Sequence, residues 1–106
     1  MIDITRKEHD IVLELVRQYF PCCEVRVFGS RYKGQAKPYS DLDLVLLGDD
    51  VLDWKQLAEL KEAFQESELP FRVDVLDWHS LSPEFRKVIE TGGYEVIAEL
   101  KPSHHW

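Results

Sequence analysis

The segment that most constrains the fold is Asp41–Leu47, which reads DLDLVLL. Its first residues alternate between acidic and apolar side chains, as they do in a β-strand with one face buried. Its last four residues are all apolar, which predicts burial on both faces. The strand should therefore lie inside a sheet with protein on either side. A chain of 106 residues suffices for one domain and is too short for two, so we expect residues 1–106 to form a single domain.

The flanking segments predict an α+β fold, a small mixed β-sheet of three to four strands packed by helices. Helices are expected over 5–20, 53–64 and 82–92, strands over 24–28, 41–47 and 71–76, and a short turn over 30–33. Residues 94–100 predict either an edge strand or an irregular tail. Thr5 with Glu8, and Asp53 with Gln56, have the spacing of capping boxes at helix starts.

The charge balance restricts the partners of the chain. It has 13 Lys and Arg residues against 20 Asp and Glu residues, a formal net charge of −7. Long nucleic acids are bound through a dense positive field, so direct binding of a long nucleic acid is not expected. Small triphosphates carried with Mg²⁺, or a basic protein partner, remain compatible with this charge.

The sequence also predicts a cytoplasmic protein without a membrane span. Its longest apolar run, residues 44–47, is far too short to cross a bilayer. The first residues lack the basic start and apolar stretch of a secretory signal. Cys22 and Cys23 are sequence neighbours without a second pair, which favours two reduced thiols. The segment His104-His105-Trp106 could ligate a metal, but a terminal tail is the simpler interpretation.

Asp41 and Asp43 are the first candidates for chemistry. Residues two apart on a strand project from the same face, so the two carboxylates repel unless a cation lies between them. Mg²⁺ suits such a site because it binds one or two carboxylates together with phosphate oxygens. The pair alone is a weak signal, because most such motifs are solvated turns or caps.

Gly29 and Ser30 form the second candidate. Gly29 ends a predicted strand and Ser30 begins a turn, so backbone amides there can point towards an anion such as a phosphate. A plain strand-to-helix turn with a serine cap is the alternative.

Asp74 is the third candidate, since an acid in an otherwise apolar strand is costly unless it is paired. It would join the other carboxylates if its strand lay beside Asp41–Leu47. The alternatives are an edge-strand acid that discourages aggregation, or an ion pair with Arg72 or Lys61.

Together these residues resemble the signature of the DNA polymerase beta-like nucleotidyltransferase superfamily, and most closely its minimal nucleotidyltransferase (MNT) group. The resemblance covers residues 25–76 and consists of GSRYKG at 29–34, a five-residue loop, SDLDL at 40–44, and Asp74 in a later apolar strand. Tyr32-Lys33 is a mild departure, since many relatives have Ala-Arg there.

The resemblance implies a nucleotidyltransferase fold and the Mg²⁺-dependent transfer of a nucleoside monophosphate, AMP from ATP, to a hydroxyl group. Gly29 and Ser30 would hold the β- and γ-phosphates, and Arg31 and Ser40 are placed with the nucleotide-binding residues. Arg31 has the alternative of a surface arginine. Asp41 and Asp43 would ligate two Mg²⁺ ions, and Asp74 would ligate the catalytic one.

The resemblance also implies a partner. Proteins of the MNT group often act as antitoxins that add AMP to a tyrosine of a HEPN-type toxin. Two other functions stay open at this point. One is a nucleotide-binding antitoxin that acts by occlusion without catalysis, and the other is a small-molecule nucleotidyltransferase of the aminoglycoside type.

Overall fold

The computed structural model describes residues 2–37 and 39–99, so the terminal His104-His105-Trp106 segment lies outside the described part. The elements are α1 (Arg6–Tyr19), β1 (Glu24–Phe28), β2 (Leu42–Leu47), α2 (Trp54–Gln65), β3 (Val73–Asp77), a 3₁₀ turn (Trp78–Ser80), α3 (Pro83–Gly92) and β4 (Glu95–Ala98).

The expected residues cap α1 and α2, but only one of the two predicted capping boxes forms. Thr5 and Glu8 form the predicted reciprocal box at the start of α1. Asp53 does cap α2, but the predicted box with Gln56 is wrong. The Gln56 side chain instead donates a 2.9 Å hydrogen bond to the Tyr19 carbonyl. Gln56 therefore ties the start of α2 to the end of α1, a tertiary bond that capping patterns do not reveal.

The four strands form one mixed sheet in the order β3-β2-β1-β4. β1 pairs antiparallel with both β2 and β4, whereas β2 and β3 are parallel. A parallel pair needs a long crossover, which α2 supplies between β2 and β3. The mixed sheet and its helices confirm the predicted α+β fold, and β4 confirms the edge-strand alternative for the end of the chain.

Protein covers both faces of β2. Leu42, Leu44 and Leu46 point into the main core, which also contains Val12 and Val16 of α1 and Leu60 and Phe64 of α2. Val45, on the opposite face, is also fully buried. α3 lies on this second face, because Phe85 packs edge-to-face on Phe28 of β1 with ring centroids 6.4 Å apart. The double burial expected for the apolar end of the strand is therefore confirmed.

Within the described residues, no helix combines the length and the apolar character that a membrane crossing requires.

Candidate active site

Asp43 and Asp74 lie side by side on neighbouring strands. The parallel register of β2 and β3 places Asp43 opposite Asp74. Neighbouring strands are about 4.8 Å apart, and residues at one level of the register project from the same face. The two carboxylates therefore share the face of the sheet that carries Phe28, which is the register partner of Asp43 in β1.

Asp41 completes the acidic group from the residue just before β2. It is two residues from Asp43, and its charge helps to raise the pKa of Asp43, so the two carboxylates lie near each other. Its side chain is exposed, as is that of Asp74, whereas Asp43 between them is partly buried. Among the described residues neither Lys61 nor Arg72 forms an ion pair with Asp74, although β3 is indeed an edge strand.

The electrostatics of Asp43 follow from this crowding. Burial, then the charge of Asp74, then the charge of Asp41 raise the pKa of Asp43 from 3.8 to about 6. All three causes oppose ionisation, so a carboxylate here at neutral pH is held at a cost in folding free energy. A cation placed among the three side chains would reverse the sign of that interaction.

Gly29 lies directly against the Asp43 carboxylate. Its φ angle is +80°, a conformation that favours glycine, and a Cβ atom added to it would lie 2.2 Å from Asp43 Oδ2. A side chain at position 29 would therefore force the Asp43 carboxylate or the turn to move. The contact puts the predicted phosphate-binding turn and the central carboxylate next to each other.

The chain after Gly29 winds into a single helical turn. The Lys33 amide donates to the Gly29 carbonyl at 3.1 Å, and the Gln35 amide donates to the Ser30 carbonyl at 3.0 Å. Ser30 lies at the N-terminal end of this turn. Backbone N–H groups at such an end point out of the turn and not towards its own carbonyls. The turn therefore has its amide end at Ser30, and phosphate binding by Gly29 and Ser30 stays a prediction.

Arg31 is buried, with only 6% of its surface exposed, so the surface-arginine alternative is wrong. Its guanidinium donates to the carbonyls of Asp3 and Ser40, at 2.8 and 3.0 Å, and stacks on the Phe71 ring. These contacts join the N-terminal segment, the turn and the loop before β2. A direct phosphate contact by Arg31 stays a prediction.

Ser40 shapes the loop that leads into the acidic pair. Its hydroxyl accepts a 2.9 Å hydrogen bond from the Lys37 amide, and its own amide donates to the Lys37 carbonyl at 2.9 Å. Together with the bond from Arg31, these contacts fix the loop just before Asp41. Binding of nucleotide by Ser40 stays a prediction.

Asp77 at the end of β3 is a buried carboxylate that the sequence did not single out. It accepts hydrogen bonds from the amides of Leu52 and His79 and from the Ser80 hydroxyl. Its side chain faces the core side of the sheet, away from Asp74, so its role is to hold the loops around β3. The sequence could have identified Asp77, because it precedes Ser80 with the spacing of a residue that caps a turn.

Hard oxygen donors are the ligands that Mg²⁺ prefers, and the acidic group supplies them. Within residues 2–37 and 39–99, no three His, Cys, Asp or Glu side chains already stand in a metal-ligand arrangement. Repulsion between Asp41, Asp43 and Asp74 opposes such an arrangement without a cation. The register, the raised pKa of Asp43 and the closeness of Gly29 nevertheless fit a divalent ion that bridges carboxylates and phosphate.

Cys22 and Cys23 are both free thiols. Burial, followed by the charge of Asp77, raises the pKa of Cys23 to about 11, so its thiolate is scarce at neutral pH. This agrees with the expected reduced cysteines.

Two solved structures resemble the chain in fold. A toxin–antitoxin complex crystallised with AMP-PNP matches at 27% identity with a TM-score of 0.71, covering 84% of this chain and 71% of that one. A candidate minimal nucleotidyltransferase matches at 33% identity with a TM-score of 0.63, covering 82% of this chain and 87% of that one.

Sequence comparison gives a family and a relative. The Haemophilus influenzae protein named "Probable protein adenylyltransferase MntA" is 48% identical over 98 residues, which is 92% of this chain and 85% of that protein. Residues 9–100 match the family described as "Polymerase beta, Nucleotidyltransferase". The chain, with its acidic group set against a glycine-serine turn, belongs to the polymerase beta nucleotidyltransferase family.

Proposed function

We propose that this chain transfers AMP from ATP to a hydroxyl of a protein partner, a tyrosine of a HEPN-type toxin, and so acts as an antitoxin. Nucleotidyltransferases of this family use ATP and a divalent metal ion. The observation that carries the proposal is the position of Asp43, which lies between Gly29 on one side and Asp74 on the other. The relative named as a protein adenylyltransferase supports the choice of AMP and of a protein acceptor.

Asp41, Asp43 and Asp74 are the proposed metal ligands. Asp41 and Asp43 would hold two Mg²⁺ ions jointly, and Asp74 would hold the one nearer the acceptor. When bound, the ions neutralise the charge that develops on the phosphate oxygens during transfer.

Gly29 and Ser30 are the proposed phosphate-binding residues. The absence of a side chain at Gly29 lets the triphosphate approach the backbone closely, and the Ser30 amide and hydroxyl can donate to the β- and γ-phosphates. Arg31 and Ser40 would support the site by fixing the turn and the loop. A phosphate contact from Arg31 would require it to exchange one of its carbonyl partners.

The transfer itself is an in-line displacement at the α-phosphorus. The acceptor oxygen forms a bond to phosphorus while the bond to the bridging oxygen of pyrophosphate breaks. The proton of the acceptor hydroxyl passes to Asp74, the carboxylate on the outer strand β3. The products are an AMP ester of the partner and pyrophosphate.

A cytoplasmic location and a single domain spanning residues 1–106 are part of the proposal. An antitoxin must meet its toxin inside the cell, and the net charge of −7 suits docking on a basic protein.

AMP transfer to the copurified partner tests the proposal. We expect the partner to gain labelled AMP when ATP and Mg²⁺ are present, and to gain none in EDTA or with Asp74→Asn. Glu62→Gln, which removes an exposed carboxylate on α2, is the matched control and should label normally. A partner that is neutralised but never labelled would instead indicate inhibition by occlusion.

A further inference from the structure

A groove of about 600 Å³ opens beside the outer strand β3 and reaches two of the acidic residues. We call it the acceptor groove and define it by Asp41, Lys61, Leu69, Arg72, Val73 and Asp74. β3 is the edge of the sheet in the described part of the chain, and the C-terminal half of α2 forms the other wall. Nothing in the proposed phosphate-binding turn contributes to this groove, so it lies apart from Gly29 and Ser30.

The order of the strands fixes a direction across the site. Gly29 follows β1, Asp43 lies on β2 and Asp74 lies on β3, with the groove beyond it. In an in-line displacement the leaving and attacking oxygens lie on opposite sides of the phosphorus. If pyrophosphate leaves on the Gly29 side, the attacking oxygen must approach from the Asp74 side. The groove opens on that side.

The walls of the groove indicate what kind of acceptor it accommodates. Leu69 and Val73, which are only partly buried, supply apolar contacts for an aromatic ring, and Asp74 lines the same groove. Lys61 and Arg72 are exposed at the groove and neither forms an ion pair among the described residues. With the proposed metal ions on Asp41 and Asp74, Lys61 and Arg72 would be the charges of the groove without a counter-charge, which disfavours a polycationic aminoglycoside and favours a segment with acidic residues.

We propose that the acceptor groove binds an extended segment of the partner that carries the acceptor tyrosine with at least one acidic neighbour. The tyrosine ring lies against Leu69 and Val73, and its hydroxyl reaches Asp74. Lys61 and Arg72 contact the acidic neighbour and so set acceptor specificity. This inference rests on the proposed function. It adds the place where the acceptor segment binds and the negative charge that this segment carries.

Charge reversal at the groove tests the inference. In the complex with the partner, Lys61→Glu combined with Arg72→Glu should slow AMP transfer by about tenfold or more, because like charges then face each other. The affinity for a non-hydrolysable ATP analogue should fall far less than the rate of transfer, since the variant leaves the turn at Gly29 untouched. Lys87→Glu on α3, an exposed lysine outside the groove, is the matched control and should transfer AMP at the wild-type rate.

The possible outcomes separate the groove from the proposed function. Normal transfer by the double variant would overturn the groove as the acceptor site while leaving the proposed function intact. An equal loss of analogue affinity would overturn it too, because the groove would then bind nucleotide. Restoration of transfer by a partner whose acidic neighbour is changed to lysine would confirm the charge assignment. A wild-type chain that labels no partner would remove the proposed function and the inference with it.

Discussion

Asp43→Asn is expected to abolish AMP transfer and yet to stabilise the metal-free protein at pH 8. Transfer should fall by more than about a hundredfold, since even the loss of an outer-shell partner of a metal costs ten- to a hundredfold. The gain in stability arises because the neutral amide side chain buries no charge and carries none for Asp74 and Asp41 to repel. One substitution should therefore separate stability from activity.

The raised pKa of Asp43 determines how the free energy of unfolding depends on pH. Its pKa is about 6 in the folded chain against an ordinary 3.8, so the folded state binds the proton more tightly than the unfolded state. The resulting stabilisation is present below pH 3.8 and is lost as the pH rises through about 6. A shift of this size corresponds to at most about 3 kcal/mol, and the partial exposure of Asp43 reduces it to about 1–2 kcal/mol.

Urea unfolding in EDTA between pH 4 and pH 8 measures this difference. We expect Asp43→Asn to gain stability over the wild type as the pH rises, and added Mg²⁺ with an ATP analogue to stabilise only the wild type. Glu62→Gln should stay within about 0.5 kcal/mol of the wild type throughout. A variant less stable than the wild type at pH 8 would show that Asp43 is satisfied without a cation.

Gly29→Ala should also abolish transfer, through geometry alone. The added Cβ would lie 2.2 Å from Asp43 Oδ2, so the carboxylate must rotate away from the site or the turn must move. The positive φ angle adds a strain of about 1–2 kcal/mol for a residue with a side chain. We expect a loss in transfer of more than about a hundredfold, as for loss of the ligand itself.

Gly34→Ala is a matched control for this effect. Gly34 also has a positive φ angle, +72°, but an added Cβ would meet nothing within 4 Å. Its substitution should cost a similar strain in unfolding free energy while transfer stays within about tenfold of the wild type. Equal losses of transfer in the two variants would show that backbone strain, and not the contact with Asp43, explains the effect.

Much of the fold was accessible from the sequence because the decisive patterns are local. β1 has the bounds that its alternation predicts, and the capping residue Thr5 starts α1 where expected. β3 is shifted towards the C-terminus relative to the prediction and ends at Asp77. Alternation alone could not place that end, because Asp77 interrupts the apolar pattern although it is buried and hydrogen-bonded.

The site was accessible only in part, because its assembly is tertiary. The spacing of Asp41 and Asp43 puts both on one face, but only the parallel pairing of β2 and β3 brings Asp74 level with Asp43. The burial of Arg31 depends on the carbonyl of Asp3, which is distant in sequence. The acceptor groove is formed by residues on α2, on β3 and in the segment between them, together with Asp41 before β2, and no motif marks it.

The most direct test of the account is where a divalent ion binds. Mn²⁺ added with a non-hydrolysable ATP analogue should broaden the backbone amide resonances of Gly29, Asp43 and Asp74 in an NMR spectrum of the chain. The same titration of Asp43→Asn should leave the resonances at these three positions sharp. Broadening that spares the three residues and appears elsewhere on the acidic surface would contradict the account, because the metal would then bind away from the proposed site.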